Sequence, residues 1–347
     1  MRILAIETSC DETGAAVVEF DGKKVQLLSN VVASSLSLHA ETGGIIPERA
    51  AREQIKFIIP VISKALVDAE VSFNRENIPN IDEIAITYGP GLIGSLLVGV
   101  ETAKTLSYIW DKPLIPVNHL FGHIYANWIE KNSDEPTILP EFPLVALIVS
   151  GGHTDLVLMK SHQDVTWIGG TRDDAAGEAY DKIGRLLNLP YPAGPKIEQL
   201  AKDGDPNSFK FPRPLLHEGG YDFSFSGLKT AVLREVQKIK SLNDKTVSNI
   251  CRCMQDAIIE VLVKKTMKAA SEYGVKNILL SGGVAANETL GNTFREKIAQ
   301  NTHQVKFYVP IRKLCTDNAA MIGSAACFKN ESMPWEEITA NPELYFD

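Results

Sequence analysis

Apolar and polar positions recur along this chain with two periods, and the periods name most of its elements. "ILAIET" reads as a buried strand, "GAAVVEF" as a second and "KVQLLSNVVAS" as a third. From about Glu48 to Ala69 apolar residues recur at helical spacing, which predicts a helix. "EIAITY" reads as a strand, "SLLVGVETAKTLSYIW" as a helix and "LIPVN" as a strand, and His119 opens another helix. The order is βββαβαβα.

The second half repeats that order. "LVALIVS" and "DLVLMK" flank the turn "GGHT", and "VTWIGGT" is the third strand. A helix runs from about Asp174 to Leu187 and a long one from about Thr246 to Tyr273. The strand "NILLSGG", a helix from Asn287, the strand "VKFYVP" and a helix from Thr316 follow. Repeats outrank local motifs in setting the fold. Two such halves predict an α/β fold of the duplicated actin-like and sugar-kinase-like ATPase class, two ribonuclease-H-like halves with a cleft between them. The expected divisions are 1–140, 141–330 with an insertion at 190–245, and a tail at 331–347. In that class the first hairpin turn of each half faces a nucleotide's phosphates, which here points to 8–14 and 150–154.

Composition narrows the class without changing it. Apolar content of 44% and charged content of 22% over 347 residues describe an ordinary globular protein. No apolar run approaches the roughly 18 residues that span a bilayer. "MRILAIETSC" enters a strand at once, with no signal or transit peptide, so a cytoplasmic protein with no membrane contact is expected. Cys10, Cys251, Cys253, Cys315 and Cys327 form no CxxC pair, which suits a reducing compartment and buried structural thiols. The net charge of −8 opposes nucleic acid as a whole. Residues 182–240 nevertheless hold ten Lys or Arg against six Asp or Glu, a local excess of +4. Lys229, Arg234 and Lys238 lie there, with the last two one helical turn apart.

Several stretches carry candidate chemistry. His119 and His123, at i and i+4, share a helix face and can grip one metal ion, or are two ordinary helix histidines. A zinc-protease HExxH needs glutamate after the first histidine, and Leu120 stands there. Asp317 opens the last helix, where it is either an N-cap (shared with Thr316) or a third ligand. "TYGPGLIG" is a GxGxxG, but it follows the fourth strand, where a tight turn and close helix–sheet packing suit it better than a dinucleotide. "IVSGGHTD" and "LLSGGVAAN" are matched Ser-Gly-Gly turns able to cradle an anion, and the second leads into a helix N-terminus that favours phosphate. Asp181 is either a ribose acceptor or an exposed helix charge, with a Gly194 turn after it.

"IETSCDETG", "GGIIPERAAR", "GPGLIGSLLVG", "NHLFGH", "SGGHT", "DDAAGEAYDKIGRLL", "SGGVAAN" and "KLCTDNAAMIG" together resemble the universal tRNA threonylcarbamoyladenosine transferase family, formerly labelled O-sialoglycoprotein endopeptidases, in its bacterial or organellar form. The resemblance covers nearly the whole chain. It implies transfer of a threonylcarbamoyl group from threonylcarbamoyl-AMP to N6 of the adenosine next to the anticodon, in tRNAs reading codons that start with A. It implies His119, His123 and Asp317 as ligands of one divalent ion, Fe2+ or Zn2+. It implies substrate contacts at Ile148, Val149, Ser150, Gly151, Gly152, Asp181, Gly194 and Asn287, with Glu198 near the same ribose. Asp11 and Glu12, on the first hairpin turn, either manage a proton or orient the carbamoyl group, or are turn residues alone. The implied partners are tRNA, an inactive paralogue of the same fold and a small ATPase. Two departures stand out: Leu-Phe-Gly replaces the family's Met-Glu-Gly between the histidines, and "PAGP" replaces Pro-Gly-Gly-Pro, where Ala193 would resist a positive φ. An ATP-dependent kinase or ATPase of the same class, and a metalloendopeptidase, are the rival readings.

Overall fold

The computed structural model describes residues 1–36, 44–130, 138–300, 305–329 and 331–346. Gly43 of the "GGIIPERAAR" stretch and Asp347 of the tail lie outside them. The chain forms two compact units, Met1–Leu139 with Lys313–Asp347, and Pro140–Arg312.

The first unit is built on a five-stranded sheet of β1 (Arg2–Glu7), β2 (Glu12–Phe20), β3 (Val25–Ser34), β4 (Glu83–Gly89) and β5 (Leu114–Asn118), in the order β3-β2-β1-β4-β5. β1 runs antiparallel to β2 and parallel to β4. Side chains alternate across a strand. Leu4, Ile6, Ala15 and Val17 therefore join one core with Ile58, Val61 and Ile62 of α1 (Pro47–Asp68) and Val100 of α2 (Ile93–Trp110). Ala5 and Val18 point the other way, against the last helix, where a Cβ on Gly323 would stand 2.8 Å from Val18. β1 is buried on both faces, so it reads as a continuous apolar run.

The second unit repeats the plan with β6 (Leu144–Val149), β7 (Thr154–Met159), β8 (Val165–Gly170), β9 (Asn277–Ser281) and β10 (Lys306–Tyr308), in the order β10-β9-β6-β7-β8. β6 is antiparallel to β7 and parallel to β9, with Ile148 opposite Ser281. The expected βββαβαβα order is present in both halves. The insertion is more ordered than its Pro and Gly content suggests: Gly194–Ala201 and Ser226–Lys238 are both helical. The division at 330 is not where the chain divides. The helix Ala319–Lys329, expected in the second half, packs on the first unit's sheet. No helix among the described residues is long and apolar enough to cross a membrane.

Candidate functional site

The histidine helix, α3 (His119–Tyr125), starts directly at the end of β5. Asn118 caps it by accepting a hydrogen bond from the Leu120 amide at 2.8 Å, and donates from its own amide group to the Tyr345 carbonyl at 2.5 Å. With the first turn fixed, the two rings share a face, their centroids 4.7 Å apart. Asp317 arrives from the segment before the last helix. That helix docks closely on α3: a Cβ on Gly122 would lie 2.7 Å from Ile322, and the Ser324 hydroxyl donates to the Tyr125 carbonyl at 2.8 Å. The capping role expected of Asp317 or Thr316 falls to Asn318, whose carbonyl oxygen accepts from the Met321 amide at 3.1 Å. Asp317 Oδ1 instead lies 3.6 Å from His119 Nε2 and 3.3 Å from His123 Nε2. One donor atom from each of the three residues lies within 4.8 Å of the others.

Burial makes this cluster unusual. His123 is 1% exposed, and neither ring nitrogen makes a hydrogen bond; Nε2 has only the ion-pair approach of Asp317. A buried, unbonded imidazole is costly unless a further group satisfies it. Two imidazoles and a carboxylate form a donor set that suits a borderline divalent ion such as Zn2+ or Fe2+. His119 Nδ1 lies 3.2 Å from Glu7 Oε2 and 3.2 Å from Ser9 Oγ. Glu7 is fully buried and also accepts from the Ser9 amide and the Thr87 hydroxyl, each at 2.5 Å. A carboxylate on Nδ1–H sets the tautomer and leaves the Nε2 lone pair on the Asp317 side. Burial pulls the His119 pKa down, yet the Glu7 and Asp317 carboxylates outweigh it and raise it to about 9. The cluster therefore favours a positive charge at its centre. Burial, with Asp11 and Asp317 adding, pushes the neighbouring Cys10 thiol upward, so it is no nucleophile at neutral pH.

The first hairpin turn borders this cluster. Gln54 braces it by donating to the Cys10 and Glu12 carbonyls at 3.1 and 3.0 Å, and Ser35 donates to the Asp11 carbonyl. Glu12 accepts from Ser34 Oγ at 2.8 Å on one oxygen, while the other is buried without a partner. Burial pushes the Glu12 carboxyl up to about 7 against that hydrogen bond, helped by the charges of Asp11, Asp317 and Glu7. The GxGxxG serves packing. A Cβ on Gly89 would meet the Asn341 carbonyl at 1.9 Å and one on Gly91 the Ser9 carbonyl at 2.4 Å.

In the second unit the expected substrate residues gather at the carboxyl ends of β6 and β9. Ile148 and Val149 end β6, and the Ser150 amide donates to the His153 carbonyl at 2.8 Å. Gly151 and Gly152 are exposed with open space at their Cα atoms, and their amides make no hydrogen bond among the described residues. Gly177 lies against this turn, since a Cβ there would stand 2.5 Å from the Ser150 carbonyl. Gly282, with φ of +88, closes on the Val149 carbonyl, which only glycine permits. The helix after the second turn, Glu288–Gln300, does not offer its N-terminus to a phosphate as expected. The buried Glu198 carboxylate already accepts from the Glu288 and Thr289 amides at 2.7 and 3.2 Å. Asn287 caps the Leu290 amide at 2.9 Å and donates to Gln255 at 3.0 Å. Asp181 is neither ribose-facing alone nor an exposed charge: it accepts from the Ala193 amide at 2.7 Å, and burial raises its pKa. Ala193 has φ of −83 and Gly194 begins a helix, so neither the strain nor the glycine turn expected there occurs.

A family model described as "TsaD: tRNA N6-adenosine threonylcarbamoyltransferase" matches residues 26–324. The chain belongs to the tRNA N6-adenosine threonylcarbamoyltransferase family. Relatives bearing that name include those of Staphylococcus carnosus, 46% identical over 95% of this chain and 91% of its own, and Persephonella marina, 49% identical over 93% and 88%. The architecture is similar to that of HypF of T. kodakarensis, with a TM-score of 0.60, 15% identity and 94% of this chain covered. A phosphate- and nucleotide-bound HypF gives 0.60, 14% and 95%. This chain spans 47% and 55% of those two proteins, and at such identity the likeness concerns the actin-like fold alone. Within the family frame, the sequence reading found the two histidines and Asp317 but missed Glu7. Its signal was an acid ending an otherwise apolar strand, "RILAIE".

Proposed function

We propose that this family member transfers the threonylcarbamoyl group from threonylcarbamoyl-AMP to N6 of the adenosine next to the anticodon, in tRNAs reading codons that start with A. The observation that carries the reading is the three-donor cluster with a buried, unbonded His123, in a chain of this family. The bond that breaks joins the carbamoyl carbon to a phosphate oxygen. The bond that forms joins that carbon to N6, AMP departs and N6 gives up a proton. One divalent ion, Fe2+ or Zn2+, held by His119, His123 and Asp317 would supply Lewis-acid polarisation of the carbonyl. Glu7 keeps the proton on Nδ1 of His119 and so orients its Nε2. Glu12, whose carboxyl titrates near neutrality, is the candidate to take the N6 proton, with Asp11 beside it orienting the carbamoyl group. The amides of Gly151 and Gly152 hold the adenylate phosphate, with Ile148, Val149 and Ser150 forming the approach. Asp181, Gly194, Glu198 and Asn287 shape the ribose side, the last two by fixing the backbone at 287–289. The adenine amine is a weak nucleophile, so positioning and charge stabilisation carry much of the rate.

The same reading gives a cytoplasmic enzyme acting with an inactive paralogue of its fold and a small ATPase. A metalloendopeptidase lacks its base, since Leu120 is fully buried where glutamate is needed. The test supplies metal-loaded protein with threonylcarbamoyl-AMP and an unmodified tRNA transcript, and reads modified nucleoside by mass spectrometry. Hydrolysis of ATP with no consumption of the adenylate would favour the kinase reading. His123→Ala is expected to lose both metal and product; full metal content in that variant removes the histidine from the centre.

A further inference from the structure

From the insertion we infer a second contact with tRNA, a phosphate-binding groove on the second unit. Lys210, Phe211, Ala231, Arg234, Glu235, Gln237 and Lys238 line an open groove of about 530 Å³. Three cations face one carboxylate there. Lys238 pairs with Glu235 at 2.7 Å, but Lys210 and Arg234 are exposed and make no ion pair or side-chain hydrogen bond among the described residues. Arg234 and Lys238 stand one turn apart on the helix Ser226–Lys238, so both reach the same side. The segment 182–240 carries the local +4 of a chain whose total is −8. A polyanion is repelled by most of this molecule and drawn to this face.

Charge selects the occupant. A protein interface of ordinary strength needs an apolar centre. Here the one large apolar side chain, Phe211, is 4% exposed and forms the floor, stacked on Phe209 at 5.8 Å. A buried ring cannot stack on a splayed base. The groove therefore contacts the phosphate backbone and sets position, not sequence. The identity of the RNA as tRNA rests on the proposed function.

The test is a filter-binding salt titration of the full-length chain with an unmodified tRNA transcript. It compares wild type, Lys210→Glu/Arg234→Glu, and a control with the same charge change, Lys160→Glu/Lys276→Glu, at two exposed lysines of the same unit. The groove variant is expected to bind about ten- to a hundredfold more weakly, with a log–log salt slope shallower by about 2, one per lost phosphate contact. The control is expected to keep its slope. Lys210→Gln/Arg234→Gln, checked by thermal melting, repeats the comparison without adding negative charge. Unchanged affinity and slope in the groove variant overturn the inference, as does an equal loss in the control. It is also overturned if tRNA binding persists while binding of an acidic protein is lost. Binding is read apart from turnover. A wild type that binds tRNA but modifies none refutes the proposed function and leaves this test intact.

Discussion

Replacing Glu7 by Gln tests whether the buried carboxylate, and not the histidine spacing alone, makes the three-donor cluster work. Glu7 Oε1 accepts from the Ser9 amide, while Oε2 accepts from the Thr87 hydroxyl and faces His119 Nδ1. Glutamine keeps one acceptor and puts an NH2 donor in place of the other. A Thr87 hydroxyl can rotate to accept. His119 can accept only by moving its proton to Nε2, the nitrogen that faces Asp317. The change therefore removes a lone pair from the cluster without touching any of its three members. Loss of such an outer carboxylate costs about ten- to a hundredfold in metal affinity, or about 1.4–2.7 kcal/mol. The fold loses charge-assisted hydrogen bonds but also sheds a buried charge, so its stability should fall by only about 1–3 kcal/mol. Competition with a chromophoric chelator measures the affinity, and urea unfolding of the metal-free protein measures the stability. An unchanged metal affinity in a folded Glu7→Gln protein would show that Glu7 does not set the His119 tautomer.

Three further outcomes follow from the same coordinates. Asn287→Ala removes a helix cap and the donor to buried Gln255, so it should destabilise the chain by about 1–2 kcal/mol in urea as well as weaken adenylate binding; a purely local site residue would leave the unfolding midpoint in place. Glu12 has a folded pKa of about 7, raised above its unfolded value, so its penalty is absent at low pH and grows as pH rises from about 4.5 to 7. Glu12→Gln should therefore gain about 1–3 kcal/mol on wild type between pH 5 and pH 8 in metal-free protein, and a pH-independent difference would contradict the assignment. A Cβ at Gly184 would stand 2.1 Å from the Ala193 Cβ, so Gly184→Ala should cost about 1–3 kcal/mol, and adding Ala193→Gly should recover most of it in thermal melts; additive losses would refute the contact.

How far the sequence leads depends on what each residue's environment is made of. β1 and β6 are covered on both faces, so their apolar runs identify them unaided. The histidine pair was legible because a helix brings i and i+4 together wherever it sits. Its third member was reachable only by counting elements through the repeat. The helix that follows Asp317 resisted placement for a physical reason. Ala319 to Cys327 are all buried, so no polar stripe says which sheet the helix covers. The helix Gly194–Ala201 was hidden by the glycine and proline at its start, although proline in a first helical turn is well tolerated.

The second Ser-Gly-Gly turn shows where motif reading must stop. A helix N-terminus after such a turn has unsatisfied amides, and phosphate is one way to satisfy them. The competing way is a carboxylate from elsewhere in the chain, and no local pattern reveals it. Here Glu198 takes the Glu288 and Thr289 amides and Asn287 takes that of Leu290. The first turn differs because Gly151 and Gly152 keep their amides unclaimed. Two turns alike in sequence thus separate into a filled one and an open one. The adenylate phosphate belongs at the open turn, where no side chain of the chain has to be displaced before it binds.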